Sequence, residues 1–149
     1  KRIQDYVGNN TFMLTYGDGV CDLNLQELLD FHRSHGKIAT LTAIQPGGRF
    51  GTLEIDKDMK VLRFAEKHKE DGGWINGGFM VLEPEIFDYL SDDSTVLERE
   101  PLERLSREGQ LVAYKYNGFW QCMDSFRDKL LLEELWKKNS APWKVWDKE

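Results

Sequence analysis

An apolar run, an amphipathic stretch and a β-branched run follow one another over residues 11–45, and that order constrains the fold more than any other feature. Thr11 to Tyr16 is short, apolar-aromatic and flanked by turn residues, which reads as a buried strand. From about Asn24 to His35, Leu25, Leu28, Leu29 and His32 recur at i, i+3, i+4 and i+7 and predict an amphipathic helix. Asp22 or Asn24 can cap its start, and Gly36 stands where a helix usually ends. Lys37 to Gln45 reads as a second buried strand, parallel to the first through that helix. A strand–helix–strand crossover of this kind predicts an α/β sheet.

Downstream the elements become mixed. Pro46-Gly47-Gly48-Arg49-Phe50-Gly51 is a glycine-rich loop, followed by two short strands, Thr52 to Asp56 and Lys60 to Glu66, joined by the polar turn Lys57-Asp58-Met59. Trp74 to Glu83 reads as a strand interrupted by Asn76-Gly77-Gly78, and Pro84 opens a short helix. Pro101 sits in the first turn of a helix whose Leu102 and Leu105 share a face and which Gly109 stops. Leu111 to Tyr116 alternates like a strand. A last helix, about Ser125 to Lys138, is expected to bury Leu131, Leu132, Leu135 and Trp136. No repeat, low-complexity tract or linker divides the 149 residues, so a single domain with a mixed sheet is expected.

Charge and hydropathy exclude some functions. A net charge of −6 lacks the positive footprint of non-specific nucleic-acid binding. No apolar run approaches the roughly 20 residues of a membrane span. Cys21 and Cys122 form no Cys-x-x-Cys pair, and two free thiols in a cytoplasmic protein is the simpler expectation.

Several clusters can carry chemistry. Gly17-Asp18-Gly19 is good turn chemistry, yet a carboxylate at the carboxyl end of a strand also sits where open α/β sheets place ligands. Glu66-Lys67-His68-Lys69 reads first as a solvated charge run; its functional reading is a lysine for a phosphate and a carboxylate for hydroxyls. Gly72-Gly73-Trp74-Ile75-Asn76-Gly77-Gly78-Phe79 carries an Asn-Gly hairpin signal, but its two Gly-Gly pairs exceed what one hairpin needs. There Asn76 can both donate to and accept from a sugar hydroxyl, and Trp74 can cover an apolar sugar face. A second isolated aspartate, Asp124, precedes the last helix and is a natural N-cap for it.

In this order the motifs resemble the sugar-phosphate nucleotidyltransferase family, and within it the glucose-1-phosphate cytidylyltransferases. The matching stretches are Thr15-Tyr16-Gly17-Asp18-Gly19, Gly48-Arg49-Phe50-Gly51, Glu66-Lys67, Gly72-Gly73-Trp74-Ile75-Asn76-Gly77-Gly78-Phe79, Asn117-Gly118-Phe119-Trp120-Gln121 with Met123-Asp124, and the tail Ala141-Pro142-Trp143-Lys144-Val145-Trp146. The resemblance implies a partial Rossmann-like nucleotide-diphospho-sugar transferase sheet, with mixed strands flanked by helices. It implies that Asp18 and Asp124 hold one Mg²⁺, and that Lys67 neutralises the phosphate of glucose 1-phosphate. Glu66, Gly51, Asn76, Gly77 and Tyr16 would line the sugar. Asp18, Lys67 and Asp124 would thus form the catalytic set, for transfer of CMP from CTP to give CDP-glucose and pyrophosphate. His68 and Cys122 stand where relatives tend to have Pro.

A search for the family's Gly-Thr-Arg nucleotide loop finds none, so the expectation is a carboxyl-terminal portion, inactive or nearly so alone, partnered by a second copy or by an amino-terminal half. The alternative is a sugar-phosphate-binding or regulatory module without turnover. A metal-dependent glycosyltransferase is weaker, because such enzymes usually show Asp-x-Asp where this chain has Gly-Asp-Gly.

Overall fold

The computed structural model describes residues 1–46, 51–55, 60–66 and 73–146, with the side chains of 51–55 and 61–66 outside the description. A mixed four-stranded sheet forms the centre. Its strands are β1 (Phe12–Thr15), β3 (Ala39–Ile44), β6 (Ile75–Leu82) and β7 (Leu111–Tyr116), in spatial order β1-β6-β3-β7. Two small antiparallel ribbons accompany it: β2 (Gly19–Cys21) with β8 (Trp120–Cys122), and β4 (Gly51–Ile55) with β5 (Val61–Glu66). Among the described residues the α-helices are the single turn α1 (Gln4–Val7), α2 (Leu25–His35), α3 (Glu100–Arg107) and α4 (Phe126–Lys137). Pro84–Tyr89 is a short 3-10 helix. The fold is the expected α/β sheet with mixed strands flanked by helices.

β1 and β3 do run parallel, since each pairs antiparallel to β6, but they are not neighbours. β6 lies between them, and the parallel partner of β3 is β7. β1 is thereby an edge strand, with Met13 and Thr15 exposed and only Phe12 and Leu14 half-buried. A six-residue run is too short to reveal whether both of its neighbours will be present.

The sheet is covered on both faces because β6 alternates. Met80 and Leu82 pack with Ile86, Phe87, Leu102 and Leu105 beneath the 3-10 helix and α3. Val81 packs with Leu23 and Leu28 beneath α2. Each such fully buried aliphatic side chain contributes about 1.5–3 kcal/mol of transfer free energy.

Asn24 caps α2, its side chain accepting from the amides of Gln26 and Glu27, and Gly36 leaves the helix at φ +61°. Leu25 is half exposed, so the buried face is narrower than the spacing predicts and centres on Leu28 and His32. His32 is 1% exposed, and a fully matched polar chain makes that tolerable. The Lys37 amide donates to His35 Nδ1 (3.0 Å), which leaves His35 Nε2–H to donate to Thr40 Oγ1 (2.7 Å). The Thr40 hydroxyl then donates to His32 Nδ1 (2.8 Å), and His32 Nε2–H donates to Glu83 Oε1 (2.9 Å). Thr11 adds its own hydroxyl to Glu83. One backbone donor thus sets the tautomer of both rings.

α4 departs from expectation. Ser125 is its N-cap, in a capping box with Asp128, and Asp124 is not. Leu132 and Leu135 are half-buried, but Leu131 (42%) and Trp136 (52%) are exposed. The neighbouring tail covers only a strip of the helix, with Lys144 Nζ 5.7 Å from the Trp136 ring centre.

Burial, together with the charges of His32 and Lys37, lowers the His35 pKa from its usual 6.5. The unfolded chain therefore takes up this proton first as pH falls. The stabilisation is complete above about pH 6.5 and is lost as pH drops towards the folded value. Melting temperature should fall between pH 7 and pH 5, and His35→Gln should flatten that slope. An identical slope in the variant would remove His35 as its source.

Candidate functional site

Residues 75–79 of the central strand build the site. Leu41 of β3 pairs with Met80 and Ala43 pairs with Asn76, so Thr42 alone faces Gly77, Gly78 and Phe79. β6 therefore bulges, as glycines inside a strand permit. Asn76-Gly77 is not a hairpin tip; the strand runs through it. Gly78 takes φ +77°, and a Cβ there would lie 2.7 Å from the Tyr16 ring. A Cβ at Gly77 would lie 3.0 Å from the Thr42 carbonyl oxygen.

The bulge gathers the ends of two other segments. Its Gly78 carbonyl accepts from the Tyr16 amide (3.0 Å), and its Gly77 carbonyl accepts from Trp120 Nε1–H (2.7 Å). Asn76 turns its Oδ1 to the Gly78 amide (2.9 Å) and donates through Nδ2 to the Tyr16 hydroxyl (2.9 Å). The Tyr16 hydroxyl donates in turn to Glu98 Oε1 (2.5 Å). Burial first, then the Glu98 hydrogen bond and charge, raise the Tyr16 pKa far above its ordinary value, and Asp18 adds to the effect. Tyr16 therefore stays protonated at neutral pH.

Two residues beyond Tyr16, Asp18 lies exposed in the turn between β1 and β2. Its carbonyl accepts from the Met123 amide (2.8 Å), one step past the Gly19–Cys122 pair of the β2–β8 ribbon. That places Asp124, also exposed, beside the Asp18 turn. Asp124 accepts from Cys122 Sγ (3.2 Å) rather than capping α4.

The far end of the ribbon is locked by Asp22. Its Oδ1 accepts from the Tyr116 hydroxyl and from the Phe119 amide (2.7 Å), and its own amide donates to Phe119 O (3.2 Å). Cys21 lies in this ribbon, where burial pushes its thiol up to about 11, so it is protonated and unreactive at neutral pH. Neither Cys21 nor Cys122 forms a disulfide.

The predicted residues thus divide into three groups. Tyr16, Asp18, Asn76, Gly77 and Asp124 surround one region of bulge and ribbon. Gly51 and Glu66 face each other across the β4–β5 ribbon, whose side chains are outside the description. Lys67, with His68 and the Gly48-Arg49-Phe50 loop, lies outside the described residues. Trp74 is 38% exposed, and Lys115 Nζ approaches to 5.1 Å from its ring centre.

Sequence reasoning missed Glu98 and the locking role of Asp22. Glu98 lies 82 residues from Tyr16 within a charged stretch, and no local pattern marks it. Asp22 was legible only as a cap candidate.

Among the described residues, no three His, Cys, Asp or Glu side chains group so as to hold a metal ion. The Asp18–Asp124 pair still suits Mg²⁺ by its donor set, which is two exposed hard carboxylates. Mg²⁺ commonly takes only one or two carboxylates from a protein and completes its shell with phosphates and water. No helix among the described residues is long and apolar enough to cross a membrane.

The model of the nucleotidyl transferase family matches residues 1–125. That span begins at the first residue and takes in both glycine-rich stretches. It corrects the expectation that the chain corresponds to a carboxyl-terminal portion without the glycine-rich region. Glucose-1-phosphate cytidylyltransferase of Salmonella typhimurium is 51% identical over 99% of this chain and 57% of its own length. Mannose-1-phosphate guanyltransferase of Saccharomyces cerevisiae is 32% identical over 82% of this chain and 35% of its own. The chain thus spans 57% of the length of the first of these and 35% of the second. The crystal structure of HddC from Yersinia pseudotuberculosis superposes with a TM-score of 0.65 at 21% identity, over 91% of this chain and 59% of that one, which shows the shared fold.

Gly78→Ala is expected to destabilise the protein by about 1–3 kcal/mol, the usual cost of a non-glycine residue held in a sparsely populated backbone region, and more where the ring cannot move. Thermal or urea melts measure it. Stability equal to the parent would show that the bulge adapts and that Tyr16 is not held by it.

Proposed function

Because this chain belongs to the nucleotidyl transferase family, we propose that it supplies the sugar-phosphate and metal part of a glucose-1-phosphate cytidylyltransferase site. The single observation that carries this reading is the gathering of Tyr16, Asn76 and the Asp18 turn, with Asp124 beside it, around the β6 bulge. These residues are separated by up to about a hundred positions and meet only through the fold. The 51% identity to the Salmonella enzyme favours cytidine over other bases.

In the proposed reaction an oxygen of the glucose 1-phosphate group attacks the α-phosphorus of CTP. A P–O bond forms there, the bond to the β-phosphate oxygen breaks, and pyrophosphate leaves with that electron pair. Asn76 and the backbone of the bulge bind sugar hydroxyls and orient the attacking phosphate. Lys67 offsets its charge as the two anions approach. Asp18 and Asp124 would hold Mg²⁺, which neutralises phosphate charge when bound. Such a step draws its rate from positioning and electrostatic neutralisation and calls for no histidine or serine nucleophile.

Calorimetry with glucose 1-phosphate, with and without Mg²⁺ and CTP, tests the binding half. Lys67→Ala should weaken sugar-phosphate binding roughly tenfold to a hundredfold, the usual effect of losing a hydrogen bond to a charged group. Pyrophosphate release on adding CTP tests the chemical half. Binding without release would favour the sugar-phosphate-binding module. No binding under any of these conditions would sink the proposal.

A further inference from the structure

The Asn76 amide has two nearly isosteric ends, and which one faces a ligand decides what the site offers. Two contacts argue for one orientation. The Gly78 amide, a donor, points at Oδ1 (2.9 Å), and the Tyr16 hydroxyl lies against Nδ2 (2.9 Å). The second contact is decisive only if the Tyr16 hydroxyl cannot donate towards Asn76. A phenol has one proton, and here that proton goes to Glu98 Oε1 at 2.5 Å. Ionised Glu98 can only accept, so Tyr16 is left as an acceptor on its other side. Reversing the amide would set its NH₂ against the Gly78 N–H and its oxygen against a hydroxyl with no proton to give.

We propose that Glu98 is a positioning residue for the sugar subsite, fixing the orientation of the Asn76 amide through the Tyr16 hydroxyl. The proposal rests on the reading of Asn76 as facing the sugar. With one Nδ2–H committed to Tyr16 and one Oδ1 lone pair to Gly78, Asn76 keeps one donor and one acceptor. That pair suits a sugar hydroxyl, which both donates and accepts. A site of this kind rejects an analogue lacking the hydroxyl, because polar groups are then left unmatched. Glu98 reaches Tyr16 from the segment between the 3-10 helix and α3, while Asn76 belongs to the central strand. Three separate parts of the chain therefore set one amide.

The test uses ¹⁵N-labelled full chain and the side-chain NH₂ signals of Asn76, identified by their loss in Asn76→Ala. Glu98→Ala should move or broaden these signals, because the Tyr16 proton is then free to turn towards Asn76 and only the Gly78 amide still holds the orientation. Glu98→Gln keeps an acceptor for that proton and should leave them near their original positions. In a glucose 1-phosphate titration, Glu98→Ala should weaken binding roughly threefold to tenfold. Its effect should vanish when added to Asn76→Ala, the non-additivity expected of residues acting through one group.

Unchanged Asn76 signals in a folded Glu98→Ala protein would overturn the proposal. So would a binding loss that adds in full to that of Asn76→Ala. If the parent chain does not bind glucose 1-phosphate while the amide signals respond as described, the sugar reading fails and the Glu98–Tyr16–Asn76 positioning stands.

Discussion

The bulge of β6 at Gly77 and Gly78 is the constraint on which the rest of the site depends. In a regular strand successive carbonyls point alternately to the two neighbouring strands, here β1 and β3. The Gly78 carbonyl extends the β1–β6 register by one rung to the Tyr16 amide, and the Gly77 carbonyl, where Thr42 alone faces three residues of β6, accepts from the Trp120 indole. The edge strand β1 and the β2–β8 ribbon are thereby tied to the centre of the sheet through main-chain groups. The distortion has a local cost: Thr42 Oγ1 is fully buried and, among the described residues, is a buried side-chain polar atom without a hydrogen-bond partner. An unmatched buried hydroxyl costs about 1–3 kcal/mol.

From that tie the arrangement of carboxylates follows. Asp18 sits where β1 hands over to β2, and the Met123 amide on its carbonyl brings the start of α4 alongside. Ser125 and Asp128 satisfy the helix end between them, which leaves Asp124 outside the cap. Asp22 secures the other end of the same ribbon through Tyr116 and Phe119. A three-residue ribbon is too short to hold register alone, so these contacts at both ends define where the two aspartates stand.

Most of the fold was legible because periodicity and punctuation are local signals. The α2 pattern with Asn24 and Gly36, the Pro101–Gly109 frame of α3 and the alternation of β7 all lie within a dozen residues of sequence. The misjudged elements share a cause. β1 was expected to be buried, Leu131 and Trp136 to be covered, and Asp124 to cap a helix; each depends on what packs alongside, which local pattern does not contain. Within the site, the glycines and isolated aspartates were visible as anomalies, while Glu98 was one acid among many.

The sequence by itself determined the chemistry on offer: two aspartates at strand ends, an asparagine among glycines, and an order of motifs that places the chain in the nucleotidyl transferase family. Only the tertiary structure decided that Asn76 marks a bulge instead of a hairpin, that the Met123 amide meets the Asp18 turn, and that Glu98 reaches Tyr16. The physical reason is the range of the interactions. Turn and helix preferences act over a few residues. The long-range contacts that orient this site, from Gly77 with Trp120 to Asp18 with Met123, join positions 43 or more residues apart, and exist only once the sheet has brought them together.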